Sequence, residues 1–232
     1  MTATPPDGSA PGPIKVLLAD DQALVRSGFR MIIDGKPDLK VVGEAADGEE
    51  AAVLAAGLRP DVILMDVRMP HVDGIAAIER IVASGNPARI IVLTTYDVDD
   101  AVFAALRAGA CAFMLKDVRP AELVEGIRVV AGGDALLAPT VTRRLLDRFV
   151  QVLPAPSETT PDEVAALTQR EYEVLRLIAL ALNNAEIADR LGLTEATVKA
   201  HVSAVLRKLK LRDRVQAVVL AYDLGLVRPR QS

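Results

Sequence analysis

The sequence is short of several residue types, and each shortage narrows what the chain can be. One cysteine, Cys111, in 232 residues rules out an internal disulfide and suits a reducing cytosol. Set in an apolar run, Cys111 reads as a small core residue rather than a reactive thiol. Tryptophan is absent and aromatics make up 3% of a chain that is 51% hydrophobic, so the cores must be built from Ala, Val, Leu and Ile. No apolar stretch approaches the roughly 18 residues of a membrane span. The first 13 residues are rich in Pro, Gly and Ser and carry no apolar h-region, which predicts a disordered tail and not a signal peptide. Internal repeats and low-complexity tracts are also missing.

The chain is long enough for two domains, each with its own core. Its net charge of −4 conceals an asymmetry. Up to Ala138 there are 13 Lys/Arg against 20 Asp/Glu, and from Gln151 onward 11 against 10. Between Thr194 and Arg214, six basic residues (Lys199, Arg207, Lys208, Lys210, Arg212, Arg214) face only Glu195 and Asp213. An acidic front and a local basic cluster behind it point to a cation site followed by a nucleic-acid reader.

In the front half, short apolar runs end in chemistry-bearing residues. Ile14–Ala19 is followed by Asp20 and Asp21, Val62–Met65 by Asp66, Ile90–Leu93 by Thr94, and Phe113–Leu115 by Lys116. Such runs read as strands buried on both faces of a parallel sheet. A further strand is expected at Lys40–Glu44. Helical signals lie between the strands: Val25, Phe29 and Ile32 keep helical spacing, Asp47 to Glu50 has the form of a capping box, Asp97 with Asp100 is placed to start the fourth helix, and Pro120 lies near the start of the fifth. Five such units predict a doubly wound α/β domain with right-handed crossovers. Ligands bind outside the carboxyl ends of such strands, so three acids, one hydroxyl and one amine should share a rim.

Two bare carboxylates about 4 Å apart repel by roughly 4 kcal/mol at an effective dielectric of 20. A divalent cation relieves that repulsion, and oxygen ligands supplied partly by solvent and phosphate favour Mg²⁺. Lys116 offers a point charge and Thr94 a hydroxyl to phosphoryl oxygens. Phosphoryl transfer asks mainly for positioning and charge neutralisation, with Asp66 the nucleophile because it ends the central strand between the metal-binding pair and the Thr/Lys pair. A phosphatase of the two-aspartate type would want an acid two residues after the nucleophile. Arg68 stands there, which argues against a turnover enzyme. His71, in the loop after Asp66, reads as a solvated loop residue.

Behind the front domain, Leu136–Leu153 is patterned as a short helix, and Pro154–Pro161 breaks all periodicity as a linker. The remainder is helical. Thr168–Glu171 is a capping box with Leu167 and Tyr172 as its hydrophobic staple, and Asn183 with Glu186 opens a short helix ending at Leu191-Gly192. Thr194 caps a third helix to about Lys210, and Asp213 with Gln216 caps a fourth. The third helix buries Val198, Val202, Val205, Leu206 and Leu209 and shows Thr197, Lys199, Ala200, His201, Ser203, Arg207 and Lys208 on its other side. Small side chains beside basic ones admit a helix to a major groove.

The set Asp20-Asp21, Asp66 with Met69-Pro70-His71-Val72-Asp73-Gly74, Thr94 and Lys116 resembles the receiver domain of two-component response regulators. The segment from Leu167-Thr168-Gln169-Arg170-Glu171 through Thr197-Val198-Lys199-Ala200-His201-Val202 to Lys208-Leu209 resembles the LuxR-type output domain. Together they make Ile14 to Val227 similar to the NarL/FixJ family. The resemblance implies a flavodoxin-like receiver over 14–135 with strand order 2-1-3-4-5, a linker helix and Pro-rich linker over 136–163, and an all-α, four-helix helix-turn-helix domain over 164–228.

It further implies that Asp66 accepts phosphate from a histidine kinase or a small phosphodonor. Mg²⁺ would be held by Asp21, Asp66 and the Arg68 carbonyl, with Asp20 acting through water. Thr94 and Phe113 would be the switch, and Arg68 and Tyr96 would set the lifetime of the phosphoaspartate. Many receivers place proline after the lysine; Asp117 stands there here and leaves the isomer of the Lys116–Asp117 peptide open.

Lys199, Ala200 and Ser203 would lie where relatives read bases, Thr194 would join the DNA-binding set, and His201 would touch a backbone phosphate or pack at the helix–DNA margin. With Ala200 and Ser203 so small, DNA shape and phosphate contacts would carry much of the specificity. Val215, Val218, Val219 and Tyr222 are candidates for a homodimer on a two-fold operator, for core packing, or for both. The expected protein is a cytoplasmic, phosphorylation-dependent transcription regulator that binds double-stranded DNA, without membrane contact. The alternatives are a phosphorylation-independent regulator with a dimerising receiver, a small phosphatase, and a non-DNA adaptor.

Overall fold

The computed structural model describes residues 12–95, 100–132, 164–180 and 182–226. In the front domain, strands and helices alternate as β1 (Ile14–Ala19), α1 (Ala23–Asp34), β2 (Leu39–Ala45), α2 (Gly48–Leu58), β3 (Val62–Asp66), α3 (Gly74–Ala83), β4 (Arg89–Thr94), α4 (Asp100–Ala108), β5 (Ala112–Leu115) and α5 (Pro120–Ala131). Every strand pairing is parallel, in the order β2-β1-β3-β4-β5, as the resemblance implied. The period-two geometry of strands divides the core into two layers. Leu17, Ile63, Met65, Ile90 and Val92 face Ala51, Ala55, Ala77, Ile78, Ile81 and Leu106 of α2, α3 and α4. Val16, Leu18, Val62, Leu64, Ile91 and Leu93 face Phe29 and Ile33 of α1 and Leu123, Val124, Ile127 and Val130 of α5.

The caps show why the helices begin where they do. The Asp47 carboxylate accepts from Glu50 N, but the Glu50 side chain reaches past the cap to Ala46 N at 2.8 Å. The interaction expected within the box therefore spans one residue more. Asp73 caps α3 through Ala76 N, and Pro120 occupies the first turn of α5. Asp97, Tyr96, the expected helix at 136–153 and the Pro-rich linker lie outside the described residues.

The second domain comprises α6 (Gln169–Ala179), α7 (Asn184–Leu191), α8 (Glu195–Lys208) and α9 (Arg214–Asp223). Thr168 and Asn183 each complete a capping box, Gly192 ends α7 in the left-handed region at φ 64°, and Asp213 accepts from both Val215 N and Gln216 N. Helix α8 stops at Lys208, two residues before the expected Lys210, which itself adopts φ 55°. Val164, Val174, Leu175, Ile178, Ile187, Val198, Val205, Val218 and Tyr222 are buried in this domain's core. Val215 and Val219, also on α9, belong to the front domain's core. Among the described residues no helix is long and apolar enough to cross a membrane.

Candidate phosphoacceptor site and nucleic-acid interface

Parallel register carries the site residues to one rim. Ala19 pairs with Met65, so Asp20 follows β1 beside Asp66 at the end of β3; Asp66 pairs with Leu93, and Thr94 with Leu115, so Thr94 and Lys116 come next. The Lys116 amide also donates to the Thr94 carbonyl at 2.8 Å. Asp20, Asp66 and Thr94 are buried and Asp21 is exposed. One carboxylate oxygen from each of Asp20, Asp21 and Asp66 lies within 4.8 Å of the others.

Asp20 and Asp66 are held in the same way. The Oδ1 of Asp20 accepts from Gln22 N at 2.9 Å, and that of Asp66 from Arg68 N at 3.2 Å. Both Oδ2 atoms lie 2.7 Å from Lys116 Nζ. The bond to Asp66 is well directed, whereas Asp20 Oδ2 is off line for a hydrogen bond and keeps lone pairs unfilled in a buried position. Burial pushes the Asp66 carboxyl above its ordinary value, against the pull of Lys116. Desolvation works against the Lys116 ammonium, but the attraction of the Asp20 and Asp66 carboxylates beside it outweighs that and its pKa is raised. Three carboxylates around one ammonium leave an excess of negative charge. The hard oxygen donors and the unfilled Asp20 Oδ2 fit a divalent cation such as Mg²⁺.

The surrounding backbone shows what the sequence reading missed. A Cβ on Gly74 would sit 2.0 Å from the Asp66 carbonyl oxygen, and one on Gly48 would sit 2.6 Å from that of Val72. Gly74 N donates to Val67 O and Gly48 N to Val72 O, clamping the loop after Asp66 between two helix starts. The segment Met69–Gly74 belongs to the receiver-like motif, but the close approach that requires its glycine has no local signature. Arg26 was also missed: its Nη1 donates to the Asp20 carbonyl at 2.6 Å while its Nε binds Glu44. Its hydrophobic-stripe neighbours give no hint of that role. Arg68 and His71 are exposed, His71 at φ 62°, and Phe113 is buried in the core layer beneath the helices. Among the described residues no peptide is cis, so Lys116–Asp117 is trans.

On α8, Thr194, Thr197, Lys199, Ala200, Ser203 and Arg207 are exposed and His201 is half-buried. The Ser203 hydroxyl donates to the Lys199 carbonyl at 3.0 Å, and the Thr194 and Thr197 hydroxyls lie 2.8 Å apart. Lys208 differs from these residues, because its ammonium binds the buried Glu171 carboxylate at 2.6 Å. That bond, with the Thr168 amide, pushes the Glu171 pKa down to about 2. Of the four dimer candidates, Val218 and Tyr222 are buried in the second domain's own core, and Val215 and Val219 against the front domain.

Comparison with known proteins matches these two halves separately. Residues 16–128 match the response regulator receiver domain. Residues 165–221 match the LuxR family of bacterial regulatory proteins. The chain is 43% identical over 216 residues to the uncharacterized transcriptional regulatory protein YxjL of Bacillus subtilis, covering 93% of this chain and 98% of that one. It is 39% identical over 211 residues to the nitrate/nitrite response regulator protein NarL of Escherichia coli, covering 91% and 96%. The crystal structure of the response regulator ChrA, from a heme-sensing two-component system, is 34% identical and aligns with a TM-score of 0.51 over 93% of this chain and all of that one. With its acidic rim on a 2-1-3-4-5 sheet and a helix-turn-helix behind, the chain belongs to the two-component response regulators that couple a receiver domain to a LuxR-type DNA-binding domain.

Proposed function

We propose that Asp66 is the phosphoacceptor of this regulator and that the modified chain pairs on DNA. What carries the reading is the buried Lys116 ammonium 2.7 Å from both Asp20 and Asp66, at matching strand ends. An Asp66 carboxylate oxygen attacks phosphorus. The P–N bond of a phosphohistidine, or the P–O bond of an acyl phosphate, breaks, its electrons leave with the donor, and Asp66 becomes an acyl phosphate. Lys116 and Thr94 are placed to hold the equatorial oxygens, whose charge must be neutralised in the transition state. Asp20, Asp21, Asp66 and the Arg68 carbonyl would hold Mg²⁺, which supplies further neutralisation when bound. Arg68 and Tyr96 tune loss of the phosphoryl group, a reaction the chain performs on itself without a separate substrate.

The reading places the chain in the cytoplasm with a sensor histidine kinase and double-stranded DNA as partners. Thr94 and Phe113 relay the modification, and Thr194, Thr197, Lys199, Ala200, His201, Ser203, Arg207 and Lys208 form the DNA side. Val215, Val218, Val219 and Tyr222 stand on the pairing helix. The test is labelling with radioactive acetyl phosphate and Mg²⁺: the wild type takes up label and Asp66→Asn does not. Undiminished labelling of Asp66→Asn overturns the assignment, and DNA binding unaltered by the phosphodonor would favour a phosphorylation-independent regulator.

A further inference from the structure

Helix α1 of the receiver starts without a side-chain cap. Gln22 stands at the cap position but its side chain makes no capping bond, and the first turn holds no acid. The loop from Asp20 to Gln22 carries two of the three acids of the rim, and without a cap it has to be fixed from elsewhere. Its backbone is held from both directions. Asp20 N donates to the Ala45 carbonyl of β2 at 3.1 Å, and the Asp20 carbonyl accepts from Arg26 Nη1, at the end of the first turn of α1, at 2.6 Å. A peptide is planar, so holding the Asp20 carbonyl holds the plane of the Asp20–Asp21 peptide and with it the start of Asp21. With Asp20 Oδ1 bonded to Gln22 N, Oδ2 is the carboxylate oxygen of this residue left for a cation.

Arg26 is anchored in its turn. Its Nε donates to Glu44 Oε2 at 3.2 Å, so one guanidinium spans the loop and the strand beside it. Glu44 pairs with Leu18 in the parallel ladder of β1 and β2, and its other carboxylate oxygen accepts from Arg30. Arg30 lies 3.6 Å from Asp34, whose carboxylate accepts from Val41 N at 2.8 Å. The series thus begins on the Asp20 carbonyl and ends on the backbone of β2. The Arg26 side chain is only 16% exposed, so water competes little for either of its bonds. A planar guanidinium fork holds a carbonyl and a carboxylate in fixed directions, whereas a lysine ammonium is a point charge on a flexible stem.

We propose that Arg26, braced by Glu44, is a positioning residue that sets the divalent-cation affinity of the acidic rim by fixing the Asp20–Asp21 peptide. This deepens the reading under Proposed function and rests on it. Arg26 touches neither the cation nor the phosphoryl group. Charge alone predicts the opposite sign: a guanidinium near the acidic rim competes with a cation, so its removal would tighten binding. Loss of position predicts weaker binding, because groups that hold metal ligands from behind govern affinity by roughly 10–100-fold. The sign of the change separates the two.

Full-length chains carrying Arg26→Ala, Arg26→Lys and Glu44→Ala test this, with Mg²⁺ titrated calorimetrically. Both Arg26 variants are expected to bind Mg²⁺ about tenfold more weakly than the wild type. Glu44→Ala leaves Arg26 its bond to the Asp20 carbonyl but removes the anchor, and should weaken binding about threefold. In labelling by acetyl phosphate, the Mg²⁺ concentration giving half-maximal rate should rise with the calorimetric Kd, while the rate at saturating Mg²⁺ falls by less than about twofold. Where Arg26→Ala does not fold, as read by urea unfolding in chelator, Arg26→Lys and Glu44→Ala decide. Unchanged or tighter Mg²⁺ binding by the Arg26 variants overturns the proposal, and so does wild-type affinity in Arg26→Lys. A saturating rate that falls as far as the affinity marks a merely structural role and overturns it too. If the wild type binds Mg²⁺ and takes up label while the variants match it, only the brace fails; if the wild type does neither, the reading under Proposed function fails with it.

Discussion

At Lys116 one ammonium serves two buried carboxylates, and taking it away leaves both uncompensated. Lys116→Met is expected to lower receiver stability by about 3 kcal/mol in chelator. Millimolar Mg²⁺ should recover part of that loss, since an ion bound only by the folded state stabilises it by mass action. Urea unfolding with and without Mg²⁺ measures both, and an unchanged midpoint in chelator would show that the pair contributes nothing. Gly74 is the complementary case. Its missing Cβ leaves room for the Asp66 carbonyl, so Gly74→Ala must push the loop or the strand end aside. A loss of about 2 kcal/mol or more is expected, accompanied by slower labelling of Asp66. Wild-type labelling kinetics in Gly74→Ala would show that the loop position is not needed. The acids and Lys116 were legible because each ends an apolar run. The need for Gly74 was not, because the atom it avoids is Asp66's own backbone oxygen, met only when the loop folds back.

Among the elements, α6 and α8 are joined by Glu171 and Lys208. Glu171 is held at about 2, below its ordinary 4.5, by the Lys208 ammonium first and the Thr168 amide second. A lowered folded-state pKa stabilises above the unfolded value and is lost as pH falls through the folded one. The output domain should therefore lose on the order of 2 kcal/mol between about pH 4.5 and pH 2, less than the whole shift because Lys208 is partly exposed. Glu171→Gln should flatten that limb, as read by circular dichroism of acid unfolding. An identical limb would remove Glu171 from the account. On α8, Lys199→Ala should leave the fold intact, weaken duplex binding, and lower the salt slope by about one. A slope unchanged within error would take Lys199 off the DNA.

Helix starts were readable from Thr168, Asn183, Thr194 and Asp213 because a cap bonds within three residues of itself. The double role of α9 was not readable: its apolar residues fit one core or two equally well, and Val218 and Tyr222 part from Val215 and Val219 only once both domains are in place.

For the molecule as a whole, the shared helix couples two domains that each possess a core. Val219→Ser is expected to separate receiver and output unfolding into two calorimetric transitions, since a polar side chain would then face the receiver core. A thermogram indistinguishable from wild type would show that the junction does not couple them. The chain alone determined the alternation of strands and helices, the acids at strand ends, and the capped helix-turn-helix, because these are written in spacings of a few residues. Tertiary structure alone decided the rest. Arg212 finds the Asn86 carbonyl 126 residues away, and Gln216 finds Leu106 at a separation of 110. Backbone carbonyls look alike in any sequence, so no side-chain pattern marks which of them a distant donor will reach. Only the packing of α9 across β4 and α4 selects them.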